Sequence, residues 1–202
     1  MRRAFLLLLV PTVLLAGLSL PPLERLDPAI NQIPQVAMRT KVQGYQREQF
    51  GHGWARAPKA SCDTRQRLLA EQLFDVHQDP SCALRSGWGE DPYSGRRIGV
   101  GFEGVEAIEL DHVFPLAAAW DLGAATWSQQ QRENFANDPL NLVIASRHAN
   151  QEKSDALPAS WLPPKRRARC WYVNRLAAVA ARYGLALPRA DVAVMRRQCL
   201  LR

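Results

Sequence analysis

Three short stretches carry side chains that could do chemistry together. They are Ile108-Glu109-Leu110-Asp111-His112-Val113-Phe114-Pro115-Leu116, Asn137-Asp138-Pro139-Leu140-Asn141-Leu142 and His148-Ala149-Asn150-Gln151-Glu152-Lys153-Ser154-Asp155. Hydrolysis of a phosphodiester is slow because a poor nucleophile must attack an anion, so a catalyst needs a base for water and positive charge for the phosphate. His112 has the chemistry of the base, since a near-neutral imidazole accepts a proton only while it is not a metal ligand. Asp111 and Asn150 are hard oxygen donors. Two protein contacts leave room for waters and a phosphate around one ion, which favours magnesium or manganese over zinc. Asn141, at the turn into the next apolar stretch, is placed to bond backbone and fix the loop that aims His112. His148 lies two positions before Asn150, which leaves open which of them faces the cation. An isolated Asp-His pair is usually structural. The two asparagines nine positions apart across a strand-to-helix junction, taken together with the motifs that flank these stretches, move this pair toward catalysis.

The elements that must position these residues are legible from periodicity and turn chemistry. Val105 to Val113 alternates as a strand with His112 at its end, and Leu140 to Ala145 reads as a second, apolar strand. Ser146 to Lys153 opens a helix. Upstream, Leu68, Leu69, Leu73 and Phe74 fall at helical spacing behind Asp63 or Thr64 as cap, giving a helix over 64–74. Asp91-Pro92-Tyr93-Ser94-Gly95 is a turn, with Ile98 to Gly101 a short returning strand. Ser128 and Gln131 form a capping box for a helix over 129–136 that Asn137-Asp138-Pro139 stops. A Pro-bearing loop over 155–164 precedes two final helices, near 169–183 and 189–200. The six tryptophans read as core more readily than as base-stacking residues. The Lys165-Arg166-Arg167-Ala168-Arg169 run reads equally as a phosphate track or a solvated loop.

The chain has 202 residues, 26 Lys and Arg against 19 Asp and Glu, and a formal charge of +7, which draws it toward polyanions such as DNA, RNA or acidic membranes. Arg2 and Arg3 precede an apolar run from Ala4 to Leu20, so residues 1–20 read as a secretory signal or an uncleaved membrane anchor. Residues 21–44 carry prolines and little periodicity and read as an extended linker. Residues 45–202 form the domain. Downstream of an export signal, Cys62, Cys82, Cys170 and Cys199 read as two disulfides. Three pairings are possible. Cys62–Cys82 with Cys170–Cys199 is favoured because each closes a short local loop, and the spacings do not make zinc knuckles.

The strand, loop, strand and helix order is that of a ββα-metal finger, and the segment resembles the HNH endonucleases. It is similar in particular to exported bacterial ones related to the C-terminal domain of the GmrSD restriction enzymes. The likeness extends over Tyr45-Gln46-Arg47, Phe50-Gly51, Trp54, Cys62-Asp63-Thr64-Arg65, Cys82, Asp91-Pro92-Tyr93-Ser94-Gly95, Trp161-Leu162-Pro163-Pro164 and Arg169-Cys170-Trp171-Tyr172-Val173, about residues 45 to 202. It implies an α+β fold in which an HNH (His-Me) finger is embedded in a mainly helical domain. It also implies a DH pair at Asp111 and His112, the central asparagine at Asn141, and Asn150 at the last metal-side position in place of a second histidine. Arg65 and Lys153, each in a family segment, are candidates to contact the phosphate. The implied protein is a secreted or cell-envelope bacterial endonuclease using one Mg2+ or Mn2+, acting on DNA, with RNA as the alternative substrate. It would work as a monomer without a small-molecule cofactor. The competing expectation is a noncatalytic nucleic-acid-binding or envelope-anchored protein that keeps the finger as scaffold.

Overall fold

The structure is a computed structural model that describes residues 25–199. The reading of residues 1–20 as signal or anchor lies outside the described residues. Among the described residues there are six α-helices and a five-stranded sheet. The helices are α1 (Thr64–Gln72), α2 (Leu116–Asp121), α3 (Gln129–Asn137), α4 (Arg147–Lys153), α5 (Arg169–Tyr183) and α6 (Arg189–Gln198). The sheet has the order β2 (Phe74–Gln78), β3 (Leu84–Glu90), β4 (Arg97–Val100), β5 (Glu106–His112) and β6 (Leu142–Ser146), antiparallel except for the parallel β4–β5 pair. A mainly helical domain is therefore corrected to a mixed one. Sequence periodicity missed β2 and β3 because β3, Leu-Arg-Ser-Gly-Trp-Gly-Glu, puts glycines where an alternating strand would show apolar side chains.

Those glycines have a packing reason. A Cβ on Gly89 would meet Leu73 at 3.0 Å and Ile144 at 3.2 Å, so one sheet face there lies directly against the end of α1. That face, with Ile98, Ile108, Leu110, Leu142 and Ile144, packs on Leu68, Leu69 and Leu73 as a small apolar cluster. The opposite face of β5 and β6 carries the larger core, where Val143 and Ala145 meet Tyr93, Phe114, Tyr172 and Leu176. Helix starts are as the capping chemistry required: Asp63 with Gln66 and Ser128 with Gln131 both close capping boxes. Both disulfides form in the sequential pairing, Cys62–Cys82 tying the start of α1 to the β2–β3 turn and Cys170–Cys199 joining α5 to the end of α6.

The 21–44 segment is not a free tether over its described part. Ile30 and Ile33 are buried in the main core, and β1 (Gln35–Val36) pairs in parallel with β7 (Leu187–Pro188). Arg39 binds Asp121 and Asp155, each at 2.7 Å. Proline content had signalled extension correctly but says nothing of what the extended chain packs on. Each buried isoleucine contributes about 1.5–3 kcal/mol. In urea unfolding, a fragment starting at residue 45 is expected to be less stable than one starting at residue 25 by about 3 kcal/mol or more. Equal stabilities would show that this segment lies outside the folding unit.

Candidate active site

The three elements behind the chemistry meet at the end of β5. β5 and β6 pair with Asp111 opposite Val143 and His112 opposite Leu142, and α4 follows β6 directly, capped by Ser146. Their connection, residues 113–141, holds α2 and α3. Asn141 pins that connection: it is fully buried, its side-chain oxygen accepts from the Phe114 amide at 2.8 Å, and its side-chain amide donates to the Phe114 carbonyl at 3.2 Å. Asn141 therefore positions the chain just past His112 and touches no open space.

His112 is 6% exposed. Its Nε2 lies 2.8 Å from the carbonyl of Ala136, in the last turn of α3, where helix carbonyls lack intrahelical partners. A carbonyl can only accept, so Nε2 carries the proton and Nδ1 is the basic nitrogen. Trp54 stacks on the other side of the ring, with centroids 5.6 Å apart and planes at 12°. Burial, together with the Arg47 and Lys153 charges, pulls the imidazole pKa down to about 3 against the opposing bond to Ala136, so the ring is neutral at working pH.

Asp111 is 5% exposed and held from the protein side. Tyr93 donates its hydroxyl at 2.6 Å to one carboxylate oxygen, and the Lys153 ammonium lies 2.9 and 3.0 Å from the two oxygens. Burial raises the carboxyl pKa while Lys153 and then Tyr93 oppose that rise. Tyr93 itself is held protonated by burial and by the neighbouring Asp111 charge. Lys153 also donates to the His112 carbonyl at 2.8 Å and is 0% exposed. It neutralises Asp111 and faces no open phosphate site, which corrects its expected role.

Asn150, on α4, lines the same cavity as Asp111. Its side-chain amide donates to Glu109 at 2.8 Å, and Glu109 also accepts from Arg147 at 3.1 Å, so Asn150 has its nitrogen on Glu109 and its oxygen available elsewhere. Arg47, Asp111, His112, Asn150 and Gln151 share the wall of one cavity of about 390 Å³, and an adjoining one of about 260 Å³ also takes in Arg47, His112, His52 and Trp54. Neither cavity is lined by His148. Arg65 lies apart from both and lines a different cavity with Arg147. Arg47, Glu109, Tyr93 and Trp54 were not singled out by sequence reasoning. Each stands in a stretch that carries the family likeness, but no spacing rule assigns them a role.

Among the described residues no group of three or more His, Cys, Asp and Glu could hold a metal ion, and the four cysteines are bonded to each other. A cation at this site would rest on oxygen. The Asp111 carboxylate takes contacts from Tyr93, Lys153 and the His112 backbone, and Asp111 borders the cavity that Asn150 also lines. Together with the amide oxygen of Asn150 this donor set fits magnesium or manganese.

The family model for the C-terminal domain of GmrSD restriction endonucleases matches residues 63–197. The chain belongs to that family. Membership points to a nuclease-type activity and a nucleic-acid substrate. The chain is also 36% identical, over 150 residues that cover 73% of it and 71% of the relative, to an uncharacterized secreted protein of the fungus Arthroderma benhamiae. That relative's name agrees with export; its fungal source gives no support to the expected bacterial origin. No solved structure matches the chain.

The buried neutral ring has a consequence for acid stability. A histidine whose pKa falls on folding lowers stability once the pH drops below its unfolded value, because the unfolded chain then takes a proton that the folded chain refuses. For His112 the window runs from the ordinary 6.5 down to about 3. In urea unfolding of metal-free protein, the parent should lose stability relative to His112→Asn steadily across that window. A pH-independent difference would show that the ring is not held neutral by burial.

Proposed function

We propose that this protein is an exported, metal-dependent endonuclease of the HNH type that hydrolyses phosphodiester bonds of DNA, with RNA as the alternative substrate, through a ββα-metal finger formed by β5, β6 and α4. The observation that carries the reading is the fixed tautomer of His112, whose Nε2 proton is held by the Ala136 carbonyl while the ring borders the cavity shared with Asp111, Asn150 and Arg47. Nδ1 takes a proton from the attacking water. Burial keeps the ring unprotonated and ready, although a strongly depressed pKa makes it a weak base, so the nucleophile must be helped by nearby positive charge. One magnesium or manganese ion, held by Asp111 and Asn150, would supply Lewis-acid charge for the phosphate and the leaving oxygen.

With Lys153 committed to Asp111, the cation that lines the cavity is Arg47. Its guanidinium has no ion pair among the described residues and lines both cavities beside His112, which suits it to a non-bridging phosphate oxygen. Arg65 lacks that placement. Glu109 orients the Asn150 amide, and Tyr93 with Lys153 orients the Asp111 carboxylate, so the donors are set before substrate arrives. Two disulfides suit a secreted or cell-envelope protein.

Plasmid relaxation with magnesium or manganese varied, and with a chelator as control, is the test. His112→Ala is expected to slow cleavage by about 10²–10⁴-fold while plasmid binding stays near the parent's. Arg47→Ala should reduce the rate far more than Arg65→Ala. A parent that binds plasmid yet cuts nothing with either metal would favour the noncatalytic scaffold instead.

A further inference from the structure

The sheet that carries the site has a second, uncovered region. Strand register places Ala107, Gly99, Trp88 and Phe74 in one row across β5, β4, β3 and β2. Side chains alternate along a strand, and Ile98, Ile108 and Leu110 point to the α1 cluster, so this row lies on the same face as Glu109 and Asp111. α4 covers that face only at β5 and β6. Over the outer strands it is open, and it is not polar: Phe74 is 61% exposed, an unusual state for a strand phenylalanine, and its ring packs 5.1 Å from Trp88. The Arg97 guanidinium sits 4.3 Å from the Trp88 ring centre and 6.0 Å from Phe102, which is itself exposed.

We infer that the Phe74–Trp88–Arg97 surface is a stacking platform for unpaired nucleobases of the strand whose phosphate lies at His112, so that the substrate is single-stranded where it crosses the outer sheet. This rests on the nuclease reading above. Aromatic rings and the arginine plane offer π-faces that accept any base, while the Arg97 charge attracts the backbone. The unpaired Arg97 guanidinium lying over the Trp88 ring favours an anionic strand with bases over a purely apolar partner. Around the patch Glu90 is paired with Lys165, Glu106 with Arg96 and Asp79 with Arg85, and Asp75 accepts from the Trp88 indole, whereas Arg97 has no ion pair among the described residues. The chain as a whole carries +7. At about 4.8 Å per strand, the aromatic pair begins roughly 10 Å from Ala107, itself two residues along β5 from Glu109. A strand leaving the site would reach it within a few nucleotides. Between them lies Arg147, 61% exposed on its pair with Glu109.

The full chain in EDTA, titrated into fluorescein-labelled oligo(dT)20, its abasic counterpart and a 20-base-pair duplex, separates the possibilities. Phe74→Ala and Arg97→Ala are each expected to weaken oligo(dT) binding about ten-fold. Phe74→Ala should leave abasic and duplex binding near the parent's, and neither change should alter hydrolysis of bis(p-nitrophenyl) phosphate, which is too small to reach the patch. Parent-like oligo(dT) affinity in both variants overturns the platform. So does a loss for Phe74→Ala that is equal on the abasic strand, since that would leave no role for bases. A parent that hydrolyses neither the small diester nor plasmid, yet loses oligo(dT) binding on Phe74→Ala, sinks the nuclease reading and retains the platform.

Discussion

The site depends on one buried ion pair. Lys153 has no exposed surface, and its ammonium reaches both Asp111 oxygens and the His112 carbonyl, so the last turn of α4 is fastened to the end of β5. Removing one partner from such a pair leaves an uncompensated interior charge, at a cost of about 3–5 kcal/mol. The fastening has a geometric result. Asn150 precedes Lys153 by three residues and therefore lies on the same side of the helix, where it meets Glu109 two residues before Asp111. Tyr93 completes the clamp from the turn between β3 and β4, which Asp91 organises by accepting from Ser94, Ser146 and the Tyr93 amide.

A second constraint acts on His112 from the other side. α3 ends at Asn137, and the carbonyl of Ala136 receives the imidazole proton while the Asn137 side chain holds the Ala55 amide and so the Trp54 loop. The ring is thus gripped edge and face by elements far apart in sequence, and Asn141 keeps the chain beyond it from drifting. The burial that fixes the ring also depresses its pKa, so orientation and basicity are traded against each other. Arg47 contributes to that depression and at the same time lines the cavity shared by Asp111, His112 and Asn150.

Much of this was readable from residue types. The helix caps at Asp63 and Ser128, the Asp91 to Gly95 turn, the strand leading to His112 and the local pairing of the four cysteines are all short-range consequences of the sequence. So were Asp111, His112 and Asn150 as residues that share one cavity. What failed was long-range. A lysine at a helix end looks like a phosphate ligand until the fold buries it on a carboxylate. The β3 segment shows no alternating apolar pattern because α1 packs where its glycines lack side chains. The residues 28–36 look like a tether until Ile30 and Ile33 find the core. Arg47 and Glu109 had no periodic signature because their roles come from tertiary placement alone.

The proposed site centres on one point in space, where a carboxylate oxygen of Asp111 and the amide oxygen of Asn150 would converge on a hard cation beside a neutral imidazole. Anomalous diffraction from crystals of the protein grown with manganese tests it most directly. The account predicts a single strong peak about 2.1 Å from one oxygen of each of Asp111 and Asn150, with Lys153 still on the carboxylate and His112 outside the coordination shell. A peak ligated by His112, or no peak between Asp111 and Asn150 at saturating manganese, would contradict it.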